Sequence, residues 1–311
     1  TVALTPLVAM GMVALLREGK FKLYVIALAL SLLANYYVGF FTCIFVLLCY
    51  IGYSICKWKG VRNFFISLGK MAGFSAMAIG LTAFLLLPAY MALGNAHASA
   101  STFPKTYAIN IGATADLGGT LDAVRQIFTN TLSFIEPNCK EADALPNIAC
   151  GTIAIVLGIV FLANRKIKLR EKLFNASLLL FLVISCVIRQ LDYIWHGFHN
   201  QYGIPNRFAF LYIFVLLLMA YEVYLKREEL KLPIAVGAYL LSMLFVIFCY
   251  CNAEVTYDTK IYIVTGGLLT LYLVLFVLYR ELPKGKKYAG YVILFTAFVE
   301  VAVNGLFAFN Q

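Results

Sequence analysis

The sequence predicts an all-α, polytopic integral membrane protein with about ten transmembrane helices. Composition is the first reason. Of 311 residues, 62% are hydrophobic and 13% charged, and the mean hydropathy is +0.86, values far from those of an ordinary soluble domain. The second reason is the length of the apolar runs, most of which reach or approach the roughly 20 residues a helix needs to cross hydrocarbon. The third is the one-sided placement of basic residues between those runs, which accounts for the net charge of +10 without a nucleic-acid partner. No cleavable signal peptide is visible, and Thr1 already lies in an apolar run, so 1–311 reads as a single transmembrane domain and as a fragment.

The first span, 3–16, ends at Arg17, Glu18, Lys20 and Lys22. The run 21–56 would measure about 54 Å as one helix, too long for a single crossing. Asn35-Tyr36-Tyr37 is its natural break, leaving 21–34 and 38–56 on either side of a tight outer turn. Lys57, Lys59 and Arg62 precede a fourth span, 64–87, closed by Pro88. A long polar segment, 94–148, separates it from the fifth span, 149–164, after which come Arg165, Lys166, Lys168, Arg170 and Lys172. The remaining spans are 173–188, 207–225, 232–251, 260–279 and 288–307.

Basic residues test this division. All but six of the 25 Lys and Arg fall on one side, the exceptions being Lys105, Arg125, Lys140, Arg189, Arg207 and Lys260. By the positive-inside rule the richer side is cytoplasmic, so 94–148 and the connection 189–210 face outward from the plasma membrane. Within 94–148, Leu117, Leu121, Val124, Phe128, Leu132 and Ile135 recur at helical spacing. They predict an amphipathic helix over about 117–135, lying in the membrane interface or packed on neighbouring loops.

The connection 189–210 gathers Arg189, Asp192, Trp195, His196, His199 and Arg207 between two apolar spans. Groups of this kind beside hydrocarbon need partners or a ligand, which makes the stretch a candidate site. The guanidinium fork of Arg207 or Arg189 suits phosphate oxygens, while His196 or Asp192 suits a polar substrate. Trp195, Phe198, Tyr202 and Phe208 offer faces for a sugar ring or a lipid chain; an interfacial aromatic belt explains them equally well but leaves the His and Asp unexplained. Asp192, His196 and His199 are too few and too loosely placed to predict a metal. Glu300 lies within the last span with Asn304 one turn on, and Arg207 is its expected partner, as a structural ion pair or in a catalytic role.

Motifs for other chemistry are absent: there is no phosphate-cradling G-x-x-x-x-G-K, no H-E-x-x-H and no G-x-S-x-G. Asn175-Ala176-Ser177 falls in a span near the cytoplasmic side, where it is no glycosylation acceptor. Cys43, Cys49, Cys56 and Cys186 lie in apolar runs as small hydrophobes. Cys139 and Cys150 flank the polar segment and would pair in an oxidising compartment or stay as thiols in an anaerobic one.

Several separated pieces resemble the YfhO family of bacterial membrane proteins, placed among the GT-C type glycosyltransferases. They are Leu16-Arg17, Asn35-Tyr36-Tyr37-Val38-Gly39, Pro88-Ala89-Tyr90, Pro146-Asn147-Ile148 with Gly151, Trp195-His196-Gly197-Phe198 leading to Arg207-Phe208, and Glu300 with Asn304. The segment Asn200-Gln201-Tyr202-Gly203-Ile204-Pro205-Asn206 keeps the family's proline-rich pattern only in part. The resemblance implies a transferase that moves a sugar from a polyprenyl-phosphate carrier to a cell-envelope polymer of teichoic or lipoteichoic type, on the outer face. No cofactor is implied, because the donor is itself an activated membrane lipid. Arg207, Arg189, Trp195, His199, Tyr36, Asn35 and Asn304 are then expected to bind substrate, with His196, Asp192 and Glu300 at the chemistry. The acidic residue that GT-C enzymes carry in their first outer loop would precede Thr1, so the fragment is expected to be inactive alone. A transporter or lipid flippase shares many of these features, although neither an inverted repeat nor a midplane charge is evident. A non-catalytic envelope scaffold is the third reading.

Overall fold

Without water nearby, a backbone must pair its own N–H and C=O groups, and a helix does so within one segment. The computed structural model follows this rule; it describes residues 2–94, 103–104, 116–134, 145–146, 148–198, 206–251, 258–281 and 286–309. Among these residues the helices are α1 (Thr5–Glu18), α2 (Lys22–Ala34), α3 (Tyr36–Cys56), α4 (Val61–Leu81), α5 (Ala83–Gly94), α6 (Leu117–Thr129), α7 (Thr152–Ala163), α8 (Leu169–Val187), α9 (Arg189–Trp195), α10 (Phe210–Leu225), α11 (Leu232–Cys251), α12 (Thr259–Glu281) and α13 (Lys286–Phe309). Five of them, α3, α4, α11, α12 and α13, are long and apolar enough to cross a membrane. Helices α7 and α10 are as apolar but have 12 and 16 residues, and twelve residues rise only about 18 Å against roughly 30 Å of hydrocarbon.

The chain divides into two units, Thr1–Ala108 with Ile188–Leu211 and Ile109–Val187 with Tyr212–Gln311. In the first, α1, α2, α3 and α4 pack on one another around Val8, Met12, Tyr24, Leu28, Val46 and Tyr50. Gly11 lets α1 and α2 meet closely, since a Cβ there would lie 2.5 Å from the backbone of Tyr24. Polar side chains in this bundle find partners on the neighbouring helix: the Tyr24 and Ser75 hydroxyls are 2.8 Å apart, and the Tyr50 hydroxyl donates to the Phe64 carbonyl at 2.7 Å.

The break expected at Asn35 is present. Asn35 is extended, and its Oδ1 accepts from the N–H groups of Tyr37 and Val38 at 3.0 and 3.1 Å, the N-cap that starts α3. The end expected at Pro88 is not. Helix α4 stops at Leu81, Thr82 breaks the path, and Pro88 sits inside α5. The reason is local: the Thr82 hydroxyl donates to the carbonyls of Ile79 and Ala78 at 2.9 and 3.3 Å, competing with the backbone ladder. Pro88 removes one intrahelical donor but already has a helical φ, and α5 accommodates it.

In the second unit, α11 packs on α12, α7 and α6, α12 on α13 and α7, and α6 on α8. Leu132, Val246, Cys249, Tyr262 and Leu269 form a shared core. The helix expected over about 117–135 is present and ends earlier, at Thr129. Gly119, Ala123 and Ile127 are buried, whereas Leu117 and Leu121 are 76% and 60% exposed. Small residues let α6 approach its neighbours along the first face, and the leucines are left pointing away from the protein. The Asp116 side chain caps α6 by accepting from Gly119 N–H at 2.7 Å.

Candidate functional site

In the first unit, the candidate residues converge on a small cluster built from the start of α3, the short helix α9 and the turn 206–209. Ile188, extended, precedes α9. One turn of α9 sets Asp192 beneath His196, and both are buried, at 3% and 0% exposure. His196 Nδ1 lies 2.7 Å from the Asp192 carbonyl and 3.1 Å from its Oδ1; the nearer oxygen takes the hydrogen. Asp192 Oδ1 and His196 Nε2 have no hydrogen-bond partner among the described residues. Helix α9 closes in a turn at Phe198, at φ 64°, whose N–H donates to the Tyr193 carbonyl at 3.0 Å.

Aromatic rings enclose the imidazole. Phe41, Tyr37 and Phe208 have ring centroids 5.7, 5.8 and 6.1 Å from it. Trp195 stacks on Phe208 at 4.7 Å, so it serves as a wall rather than as an exposed sugar platform. Arg207 is exposed, and its guanidinium carbon stands 5.4 Å from the Tyr37 ring centroid. Tyr37 therefore links the cation to the buried histidine. Asn206, beside Arg207, adopts φ 56° and is 2% exposed, with both amide atoms lacking a hydrogen-bond partner among the described residues. A buried amide left unsatisfied costs about 1–3 kcal/mol. A ligand that filled its bonds would recover that cost.

Sequence reasoning passed over Asn206 and chose Tyr36 over Tyr37. Tyr36 is 37% exposed, and Asn35 serves as the cap of α3. The signal for Asn206 was its position between Pro205 and Arg207, where Asn tolerates a left-handed backbone. Arg189 is exposed at the start of α9. His199 lies outside the described residues.

Glu300 and Asn304, in the second unit, share a face of α13 as their spacing predicts, and both hold the turn that follows α6. Glu300 Oε1 accepts from the Ser133 hydroxyl at 2.7 Å, the Thr152 N–H at 2.6 Å and the Thr152 hydroxyl at 2.5 Å. Its Oε2 accepts from the Tyr272 hydroxyl at 2.8 Å. Asn304 Oδ1 accepts from Phe134 N–H at 2.7 Å, where Phe134 has φ 66°. Among the described residues, the hydrogen-bond partners of Glu300 are thus neutral donors from its own unit. Gly151, at φ 97°, turns the chain so that the first N–H of α7 points at the carboxylate. A helix N-terminus favours negative charge there. Cys150 carries a free thiol, while Cys139 lies outside the described residues.

Long apolar helices, capped and broken by polar residues at their ends, define this protein as an all-helical membrane protein. It belongs to the family described as Bacterial membrane protein YfhO, which the chain matches over residues 1–311. No curated protein and no solved structure matches it.

Proposed function

We propose that the protein is a glycosyltransferase of GT-C type, crossing the membrane about ten times and working on the outer face of the bacterial plasma membrane. The donor is a sugar on a polyprenyl-phosphate carrier, and the acceptor is a hydroxyl of a cell-envelope polymer such as a teichoic or lipoteichoic acid. One observation carries the reading: among the described residues, buried His196 and Asn206 keep unsatisfied polar atoms beside exposed Arg207. Such a group of unsatisfied atoms next to a cation fits a ligand that has both hydroxyls and a phosphate.

In this mechanism the acceptor oxygen attacks the anomeric carbon, the bond from that carbon to the phosphate oxygen breaks, and the carrier phosphate leaves with the electron pair. The acceptor proton passes to a base. Arg207 meets the charge growing on the phosphate, while His196 and Asp192 contact the sugar, and Asn206 offers both a donor and an acceptor to its hydroxyls. Trp195 holds Phe208 against the imidazole. Glu300, with its oxygens engaged by its own unit, positions the turn after α6 rather than moving a proton.

The test is sugar transfer by the full-length protein from a polyprenyl-phosphate donor in vesicles. Arg207→Ala is expected to lower turnover on the order of 100-fold, the usual effect of removing one donor to developing charge, with Arg207→Lys intermediate. Wild-type transfer by the alanine variant would remove Arg207 from the site. Movement of labelled lipid without any sugar transfer would favour a flippase instead.

A further inference from the structure

The second unit contains an apolar groove of about 1200 Å³, walled by side chains of α7, α10, α12 and α13 such as Leu157, Leu217, Leu273 and Leu294. Leu217 and Leu294 are 45% and 56% exposed, so the groove is open along its side, where hydrocarbon would lie. One end differs in chemistry, being lined by Arg227, Lys286 and Lys287 together with Tyr224, Tyr279 and Tyr291. Arg227 lies 4.4 Å from the Tyr224 ring centroid and donates to the Tyr279 hydroxyl at 3.2 Å. Glu228 binds Lys286 and accepts from the Tyr279 hydroxyl at 2.6 Å. Lys287, its ammonium 5.8 Å from the Tyr291 ring centroid, forms no ion pair among the described residues.

We propose that this groove holds an anionic phospholipid from the leaflet on the basic side, with the headgroup phosphate at Arg227 and Lys287 and an acyl chain along the apolar walls. Charge complementarity selects the occupant. Inside a bilayer the tail gains little by leaving other tails, which are as apolar as leucine, so the walls accept chains without choosing among them. The headgroup decides, because cations near the surface favour anionic over zwitterionic lipid. Arg227, Lys286 and Lys287 line that end with no carboxylate among the described residues of the lining; of the two acids in the adjoining turn, Glu228 binds Lys286 and Glu229 pairs with Lys166, so the end stays net positive. The tyrosines sit where amphipathic rings mark the level of headgroups. This site is separate from the sugar-transfer reading and stands or falls without it.

The test is native mass spectrometry of the full-length protein released from micelles holding equal phosphatidylglycerol and phosphatidylcholine. The wild type is expected to retain phosphatidylglycerol preferentially. Replacing both Arg227→Gln and Lys287→Gln should cut that preference on the order of tenfold, since each surface cation contributes several-fold. The pair Arg227→Lys and Lys287→Arg keeps the charge and should keep the preference, while Ala297→Trp, which fills the groove, should reduce both bound lipids. Equal retention of the two lipids by the wild type, an unchanged ratio in the glutamine variant, or loss of the preference in the charge-conserving variant would each overturn the proposal.

Discussion

His196 shows how a single side chain carries conflicting signals of stability and function. Its Nδ1 is satisfied by the Asp192 carbonyl, yet Nε2 is buried without a hydrogen-bond partner among the described residues, and three aromatic rings surround it. Replacement by Phe loses the first contact and removes the second penalty, each about 1 kcal/mol. His196→Phe is therefore expected to change thermal stability by no more than about 1 kcal/mol while lowering sugar transfer on the order of 100-fold, as for a lost hydrogen bond to the reacting sugar. Unfolding and turnover measured on the same preparation check this, and a parallel fall in both would make the histidine structural. The sequence exposed His196, Asp192 and Arg207 because they are polar among apolar spans. It concealed Tyr37 and Asn206. A tyrosine at a helix end looks like belt, and an asparagine in a loop looks solvated, until burial shows otherwise.

Elements are joined by a few contacts whose loss should be local and measurable. Glu300 gathers donors from α7, α12 and the turn after α6, so Glu300→Ala leaves four donor contacts unmet. That variant is expected to lose several kcal/mol, at about 1–3 kcal/mol per orphaned buried group with partial relaxation. Glu300→Gln keeps one acceptor oxygen and should cost less. Hydrogen exchange at the Thr152 and Phe134 amides should rise in the order wild type, Gln, Ala. If instead the Gln variant kept wild-type exchange and lost all transfer, Glu300 would be a proton-transfer group. Gly11 and Gly73 make a second contrast. A methyl at Gly11 meets Tyr24 backbone, whereas one at Gly73 meets nothing within 4 Å. Gly11→Ala should destabilise by about 1–3 kcal/mol, and Gly73→Ala should be neutral or stabilising by up to about 1 kcal/mol. Denaturation in detergent compares the two. Helix boundaries were legible where a side chain caps the backbone, as at Asn35, and not at Thr82, whose hydroxyl acts inside an otherwise uniform apolar run. The stripe in 117–135 marked a helix but not the face it packs on its neighbours, because Gly119 and Ala123 carry no hydrophobic signal and yet are buried.

Across the whole molecule, the placement of basic residues predicts an orientation that chemistry can read directly. In a cysteine-free background, Lys166→Cys is expected to react with a membrane-impermeant maleimide only after permeabilisation, and Asp116→Cys in intact cells. The reverse pattern would invert the topology. Length and composition were enough to see a helical membrane protein, since the bilayer imposes both. Helix lengths were harder to see: a break or a short helix such as α7 leaves little mark in the one-dimensional pattern when its neighbours are equally apolar. Division into two units was hidden as well, because the first is completed by 188–211, far along the chain from α1–α5.

Helix α13 is tied near both ends, at Glu300 by donors from α7 and α12 and at Lys286 by Glu228. One tie is a buried carboxylate and the other an exposed ion pair, and between them the helix forms one wall of the groove. Entry is sideways from the bilayer. A bending hydrocarbon chain fits such an opening.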